Sequence, residues 1–324
     1  MNDIIATSMP TKDHNMPITY SETFYSIQGE GHFTGVPSTW VRFFLCNLQC
    51  NGFGQDDPTD SSTYELPYKE FDASKIKVVT ELPVWDKGCD SSYSWAKKFR
   101  HLQKHETADQ IVDKLKDHLT TKWNPNGLYK HPNSGETAHL VFTGGEPLMR
   151  NGQRSAIAIM QAYRSKPMEH KPSWVTFETN GTQKLTQEFM DFFGNPGVFH
   201  SKLFWSCSPK LWTVSGEKRK RAIKPDNLKD YDLVVHQNRG SSEVPRGQLK
   251  FVLGPKKEQW DELDEVIGLY REAGIDWPVW IMPVGATVEG QELCDGEVAT
   301  MAQERGFSVS ARVHTYLWGN LIGV

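Results

Sequence analysis

From about residue 106 onward the apolar positions fall into short runs separated by amphipathic stretches. A helix at roughly 107–121 places Ile111, Leu115 and Leu119 on one stripe at four-residue spacing. A buried strand at 139–143 follows, then a helix at about 153–164, a strand at 174–178, a helix at 186–193, and strands at 203–206 and 248–253. The helix at 257–273 carries Trp260, Leu263, Ile267 and Tyr270 on one face. A strand at 279–282, a helix near 289–305 and a terminal strand at 308–313 complete the pattern. Nearer the start, 20–27 and 38–45 read as two strands joined by the glycine-rich turn Gln28-Gly-Glu-Gly-His32 and Gly35-Val-Pro37. Short apolar strands alternating with amphipathic helices predict an α/β protein with a parallel sheet, open or barrel-like. In such sheets the working groups gather at the C-terminal ends of the strands.

The organisation that follows is a loose tail at 1–18 and one domain at 19–324, interrupted by a polar insert at 51–88. The insert contains Asp56-Asp-Pro-Thr-Asp-Ser-Ser62 and one β-branched patch at 76–79, and reads as a long, partly ordered excursion. No internal repeat is present. The chain has 324 residues, enough for a substantial core. Its formal net charge of -4 and pI near 6.3 exclude nucleic-acid binding through bulk charge. No apolar run approaches the ~20 residues of a membrane span. The first residues carry Asp3, Lys12, Asp13 and His14 with no apolar core, so no signal peptide is expected. Five cysteines, an odd number, suit a metal site in a reducing cytoplasm better than a disulfide framework.

Cys46-Asn-Leu-Gln-Cys50 is the densest chemical signal. Buried small hydrophobes would explain two cysteines, but Asn47, Gln49, Asn51 and Gly52 make a polar loop, which does not bury thiols. Thiolates on a tight loop can converge on one iron–sulfur cubane; zinc competes, although structural zinc takes four Cys/His ligands. Where a compact cradle would place a third thiolate the chain has Phe53, and the next cysteine is Cys89. Phe142-Thr-Gly-Gly-Glu-Pro147 adds consecutive glycines that let a ligand approach the backbone, and a carboxylate for an ammonium group. It follows one strand, as Thr179-Asn-Gly-Thr182 and Ser208-Pro-Lys210 follow two others.

With these motifs the chain resembles the radical S-adenosylmethionine superfamily, and within it the 7-carboxy-7-deazaguanine synthases. Phe24-Tyr-Ser-Ile-Gln-Gly-Glu-Gly31, Gly35-Val-Pro37, Trp40-Val-Arg42 and the cysteine pair are close to that family's opening block. Glu178-Thr-Asn-Gly-Thr182, Ser208-Pro-Lys210, Leu249-Lys-Phe251 and His314-Thr-Tyr-Leu-Trp-Gly319 recur in its order, so the likeness spans about 22–319. Cys89-Asp-Ser-Ser-Tyr-Ser-Trp95 fits the phrase around that family's third cluster ligand, with serine for threonine. The resemblance therefore implies a 4Fe–4S cluster on Cys46, Cys50 and Cys89, with 51–88 inserted between the second and third ligands. Loop-closure entropy grows slowly with length, so such an insert is tolerable if its ends are held.

The same resemblance implies a modified, incomplete (β/α) barrel as a single domain, paired as a homodimer. Gly144, Gly145 and Glu146 would hold the methionine end of S-adenosylmethionine; Glu178, Asn180, Ser208 and Lys210 would contact its ribose or carboxylate. Each is also explicable as turn chemistry. Gln28 and Glu30 would read the edges of a pterin ring, with Thr143 and His314 also in the substrate set. Arg42 would clamp the substrate carboxylate by a bidentate, charge-assisted pair, and a lone charge in an apolar strand supports that role. Ser91 keeps the hydroxyl expected at a Mg²⁺ site. Met282 stands where related chains often carry Gln, which puts one polar cofactor contact in doubt.

The reaction implied is ring contraction of 6-carboxy-5,6,7,8-tetrahydropterin to 7-carboxy-7-deazaguanine. A 5′-deoxyadenosyl radical takes hydrogen from C6 and ammonia leaves, with S-adenosylmethionine regenerated. The product would serve deazapurine biosynthesis, of the queuosine type in tRNA or in modified DNA. An electron donor such as flavodoxin or ferredoxin would be the protein partner. Two other readings stay open: an activase that places a glycyl radical on a partner, which needs the cluster but not Gln28, Glu30 or Arg42, and a cluster-less binding homologue. Glu217-Lys-Arg-Lys-Arg221 with Lys224 reads as a solvated loop, and Cys207 and Cys294 as cysteines outside any cluster.

Overall fold

The computed structural model describes residues 16–319 and 321–323; most of the expected N-terminal tail lies outside the described residues. Among the described residues nine strands form one open sheet: β1 (Ile18–Ile27), β2 (Pro37–Phe43), β3 (Lys104–Glu106), β4 (His139–Gly144), β5 (Trp174–Thr179), β6 (Lys202–Cys207), β7 (Gly247–Leu253), β8 (Val279–Pro283) and β9 (Ser308–Val309). Their order is β3-β1-β2-β4-β5-β6-β7-β8-β9. Every neighbouring pair from β2 to β9 is parallel, and β1 runs antiparallel to both β2 and β3. This is the α/β, incomplete-barrel architecture the sequence predicts.

The central strands read as continuous apolar runs because both of their faces are covered. Leu140, Val141 and Phe142 of β4 are buried in succession, as are Leu203 to Trp205 of β6. Helix Ala108–Leu119 is started by Thr107, whose hydroxyl accepts from the Gln110 amide in a capping box. Its Ile111, Val112, Leu115 and Leu119 join the same core as the strands, each such burial stabilising by about 1.5–3 kcal/mol.

Two expectations are corrected, and one helix is new. Helix Pro225–Arg239 was not legible, because buried Asn227 and Asn238 flank Leu228, Tyr231, Val234 and Val235 and blur the apolar stripe. The helix near 289–305 is two, Val288–Glu292 and Asp295–Glu304, with Cys294 at the cap of the second. The terminal strand stops at Val309, paired with Ile281. The chain then turns so that Arg312 reaches Glu30 and Asp90, and continues as helix Val313–Trp318.

The insert is better ordered than its composition indicates. Leu66, Tyr68, Val79, Leu82 and Trp85 pack with Tyr93, Phe99 and Leu102 into a second hydrophobic core, separate from the main one. Its base is pinched: the Gly88 amide donates to the Phe53 carbonyl at 2.8 Å.

Candidate active site

The loop after β2 leaves the sheet under backbone tension. Leu45 and Cys50, neither of them glycine, adopt positive φ of 93° and 52°, a conformation that persists only where the surroundings over-determine it. Here they do. The Leu45 amide donates to the Ser94 carbonyl, the Gly52 amide to the Ser215 carbonyl, and the amides of Gln49 and Cys50 both donate to the Glu217 carboxylate, at 2.6 and 2.9 Å. From the end of β5, the Asn180 side-chain amide donates to Asn47 Oδ1 at 3.1 Å and Asn47 Nδ2 donates to Thr182 Oγ1 at 2.8 Å. Gly145 must be glycine, since a Cβ there would stand 2.4 Å from the Leu45 carbonyl oxygen and 2.8 Å from Cys46 Cβ.

Cys46, Cys50 and Cys89 line one cavity, together with Phe53, Ser91, Gly144, Gly145, Glu178, Asn180, Ser208 and Lys210. The pinch explains how Cys89 gets there. Gly88 is bonded back to Phe53, so the residue after it stands where a compact cradle would have its third thiolate. Phe53 itself lines the cavity and lies under the Lys210 ammonium, 5.6 Å from its ring centroid. Cys89 Sγ accepts from Trp95 Nε1 at 3.4 Å and lies 3.5 Å from Ser91 Oγ.

Burial, with the nearby Glu146, pushes the Cys46 thiol up to about 12; burial likewise raises Cys50 and Cys89. Bare thiolates are therefore disfavoured here, unlike in a cysteine nucleophile. A cationic iron cluster supplies the missing charge and binds thiolates outright. Among the described residues no three His, Cys, Asp or Glu groups are placed to hold a single metal ion. The donor set fits a cubane, which needs its thiolates around one space rather than on one atom. The cavity, about 1120 Å³ with its open mouth included, has room for a cofactor beside it.

Glu146 does not line this cavity. Its carboxylate is buried and accepts from the Leu148 amide at 2.9 Å, the Asn180 amide at 2.8 Å and Thr179 Oγ1 at 2.7 Å, tying the turn after β4 to the end of β5. Burial, working against those bonds, raises its pKa to about 7. Ser208 and Lys210 hold one another, Nζ donating to Oγ at 2.9 Å.

A second cavity adjoins the first. Gln28, Glu30, Arg42 and His314 line it, with Phe24 and Trp40 stacked in parallel at 5.4 Å. Asp90, Ser91, Glu178 and Arg312 line both cavities and form the wall between them. Glu178 is held from both sides, accepting from Gln28 Nε2 at 3.2 Å and Thr143 Oγ1 at 3.1 Å. Arg42 donates through Nε to Glu22 at 2.8 Å; its guanidinium makes no other hydrogen bond among the described residues. Gly29 lets His314 close over the turn, since a Cβ there would meet the imidazole at 1.9 Å. The insert contributes Val84 to this cavity, and the C-terminal segment contributes Leu321 and Ile322.

Four working residues escaped the sequence reading. Arg312 bonds Glu30 through Nε at 3.0 Å and Asp90 through Nη2 at 2.7 Å. Lys250 pairs with the same Glu30, and Glu22 orders both Arg42 and the Tyr93 hydroxyl. Lys250 and Arg312 are lone charges in or beside apolar strands, the signal that singled out Arg42. Glu22 gave the same signal, as the single charge in β1, and Asp90 gave none.

The open, mostly parallel sheet and the three thiols around one cavity fit the radical S-adenosylmethionine resemblance. No family model matches the chain. Over most of its length, however, it is similar to three proteins named 7-carboxy-7-deazaguanine synthase. It is 24% identical to the one from Halobacterium salinarum over 310 residues, covering 93% of this chain and 90% of the relative. It is 28% identical to that of Rhodopirellula baltica over 318 residues (94% and 87%), and 23% identical to that of Leptospira interrogans over 311 (96% and 99%). A crystal structure of QueE from Escherichia coli superposes at a TM-score of 0.47 and 16% identity, covering 92% of this chain and 95% of that one. These likenesses over nearly the whole chain support the 7-carboxy-7-deazaguanine synthase family of radical S-adenosylmethionine enzymes as its relatives.

Proposed function

We propose that the protein contracts the ring of 6-carboxy-5,6,7,8-tetrahydropterin to 7-carboxy-7-deazaguanine with loss of ammonia, for deazapurine biosynthesis. The observation that carries this reading is the pair of adjoining cavities: three thiols line one, Gln28, Arg42 and His314 line the other, and four side chains wall both. Cys46, Cys50 and Cys89 would hold a 4Fe–4S cluster, and Gly144, Gly145, Asn180, Ser208 and Lys210 the S-adenosylmethionine beside it. When bound, the two supply one-electron chemistry able to take hydrogen from an unactivated carbon.

The chain's own part is to bind and orient. Arg42, fixed by Glu22 through Nε, offers its terminal nitrogens to the substrate carboxylate. Gln28 and Glu178, bonded to one another, present amide and carboxylate edges to the ring at the boundary between the cavities. Ser91 lines both and would ligate Mg²⁺ with that carboxylate. His314 stays neutral to about pH 4, chiefly through burial and then Arg312, so it meets the substrate as a hydrogen-bonding group and not as a cation. Holding the reacting carbon at the shared wall is how such a site governs which hydrogen is taken. We further propose one catalytic domain, a homodimer and a cytoplasmic setting; no described helix is long and apolar enough to cross a membrane.

Anaerobic reconstitution and incubation with the carboxypterin test the reading. The expected result is about four irons per chain and a ring-contracted product, both lost in Cys89→Ala. Unchanged iron in that variant would remove Cys89 from the cluster; full iron without product would remove the substrate assignment.

A further inference from the structure

The thiols differ in the hydrogen bonds that their sulfurs accept. Cys46 Sγ accepts from the Leu48 amide at 3.4 Å, a donor of its own loop, with Asn180 Nδ2 at 4.0 Å. Cys89 Sγ instead accepts from a side chain, the Trp95 indole Nε1, at 3.4 Å. That indole lines the cavity of the three thiols. Its backbone is fixed at the end of the short turn Ser92–Ser94, where the Trp95 amide donates to the Ser92 carbonyl at 3.1 Å.

The insert seats the indole. Trp95 packs on the insert's core and meets the Tyr68 ring edge-on, with centroids 5.7 Å apart. Tyr68 is buried, and its hydroxyl donates to Asn51 Oδ1 at 3.2 Å, one residue past the second thiol. Leu66 and Tyr68 also close on Gly88, where an added Cβ would stand 3.1 Å from Leu66 Cδ2 and 3.8 Å from Tyr68 Cε1. The insert thus reaches the third thiol twice, at the backbone through Gly88 and at the sulfur through Trp95. Packing alone accounts for an aromatic ring here, and a phenyl ring would pack as well. It does not account for an indole N–H aimed at sulfur: in the same core the buried Trp85 Nε1 has no partner among the described residues.

We propose that Trp95 sets the reduction potential of the iron–sulfur cluster through its N–H···S bond to Cys89, and that Tyr68 of the insert is the positioning residue for that bond. The proposal rests on the cluster assignment above. One electron passing to the cluster from an external one-electron reductant, which is oxidised in turn, increases the negative charge carried by the cluster's sulfurs. A more negative acceptor makes a stronger hydrogen bond. The indole N–H therefore favours the reduced state and raises the potential, hydrogen bonds to sulfur being one of the levers that set it. No bond forms or breaks on this chain, and no proton moves.

The test compares reconstituted wild type with Trp95→Phe, Trp95→Tyr and Tyr68→Leu. Both Trp95 variants keep an aromatic ring against Tyr68 and lack the indole N–H; Ser91 Oγ, 3.5 Å from the same sulfur, is left unchanged. Iron content is counted, and the cluster is titrated with dithionite in the absence of the carboxypterin, with the electron paramagnetic resonance of the reduced cluster as the signal. Both Trp95 variants are expected to hold wild-type iron and to be about tenfold harder to reduce, a fall of ~59 mV for one electron. Tyr68→Leu, which keeps the indole but removes its seat, should fall in the same direction by less. Trp95 variants whose reduction equilibrium stays within a factor of about two of wild type would overturn the proposal. Loss of the cluster from both would overturn it as well, because the indole would then hold the loop and not tune the sulfur. An unshifted Tyr68→Leu would remove the positioning role of Tyr68. Wild type that binds no iron would remove the cluster assignment and this proposal with it, whereas a loaded cluster without ring-contracted product would count against the reaction alone, since the potential is read without substrate.

Discussion

Glu30, Asp90, Lys250 and Arg312 meet where the two cavities share a wall, and their charges hold one another in place. Burial alone would raise the Glu30 carboxyl, but Lys250 and then Arg312 hold it well below the usual carboxylate range. Asp90, next to Cys89, is likewise raised by burial yet lowered overall, chiefly by Arg312. Arg312 therefore connects the residue after the third thiol to the turn that lines the other cavity. Removing one partner of a buried pair leaves an uncompensated charge behind. Arg312→Leu is expected to destabilise the fold by about 2–4 kcal/mol, read by urea denaturation of the iron-free protein. A loss below about 0.5 kcal/mol would mean that water reaches the pair and that the network is surface-like.

At the scale of elements, the start of β4 carries a pH dependence that belongs to the fold and not to the site. His139 is 5% exposed, with its ring stacked on Trp174 at 5.7 Å and edge-on to Phe33 at 4.6 Å. Burial lowers its pKa from 6.5 to about 4. The folded state thus binds this proton less well than the unfolded chain. The stability it contributes is complete above pH 6.5 and is lost as the pH falls through 4. The loss amounts to about 3 kcal/mol at most. Comparing the stability of wild type and His139→Phe from pH 7 to 4 isolates this contribution. The difference should move in favour of the variant as acid is added, and a constant difference would show that the imidazole is solvated.

Over the whole molecule most buried apolar residues divide between two cores, one against the sheet and another inside the insert. The second is joined to the thiol loop through the Phe53–Gly88 hydrogen bond, and to β1 through Tyr93, whose hydroxyl donates to Glu22 at 2.8 Å. Trp85 is buried there against Phe71 and Phe99. Trp85→Ala should cost about 3 kcal/mol, and because the cores are separate the loss should be local. Hydrogen exchange is expected to accelerate across 64–102 while amides of β4 to β7 keep their protection. Uniform acceleration over both regions would show a single cooperative unit.

The alternation of apolar strands and amphipathic helices was enough for the α/β class and for most elements, because a strand buried on both faces and a helix with one apolar stripe leave different periods in the sequence. Local chemistry was legible for the same reason: the thiol spacing, the Gly-Gly turn after β4, and Arg42 as a charge in an apolar strand are all signals within a few residues. Three things depended on contacts distant along the chain. The Phe53–Gly88 pinch brings Cys89, expected from the resemblance, to the cavity that Cys46 and Cys50 line. The turn after β9 decided that Arg312 and His314 enter the substrate-side cavity. Glu146 was turned away from the cavity by donors at the end of β5. Spacing records neighbours along the chain; which loop ends meet, and which buried charge finds which partner, is set by packing in three dimensions.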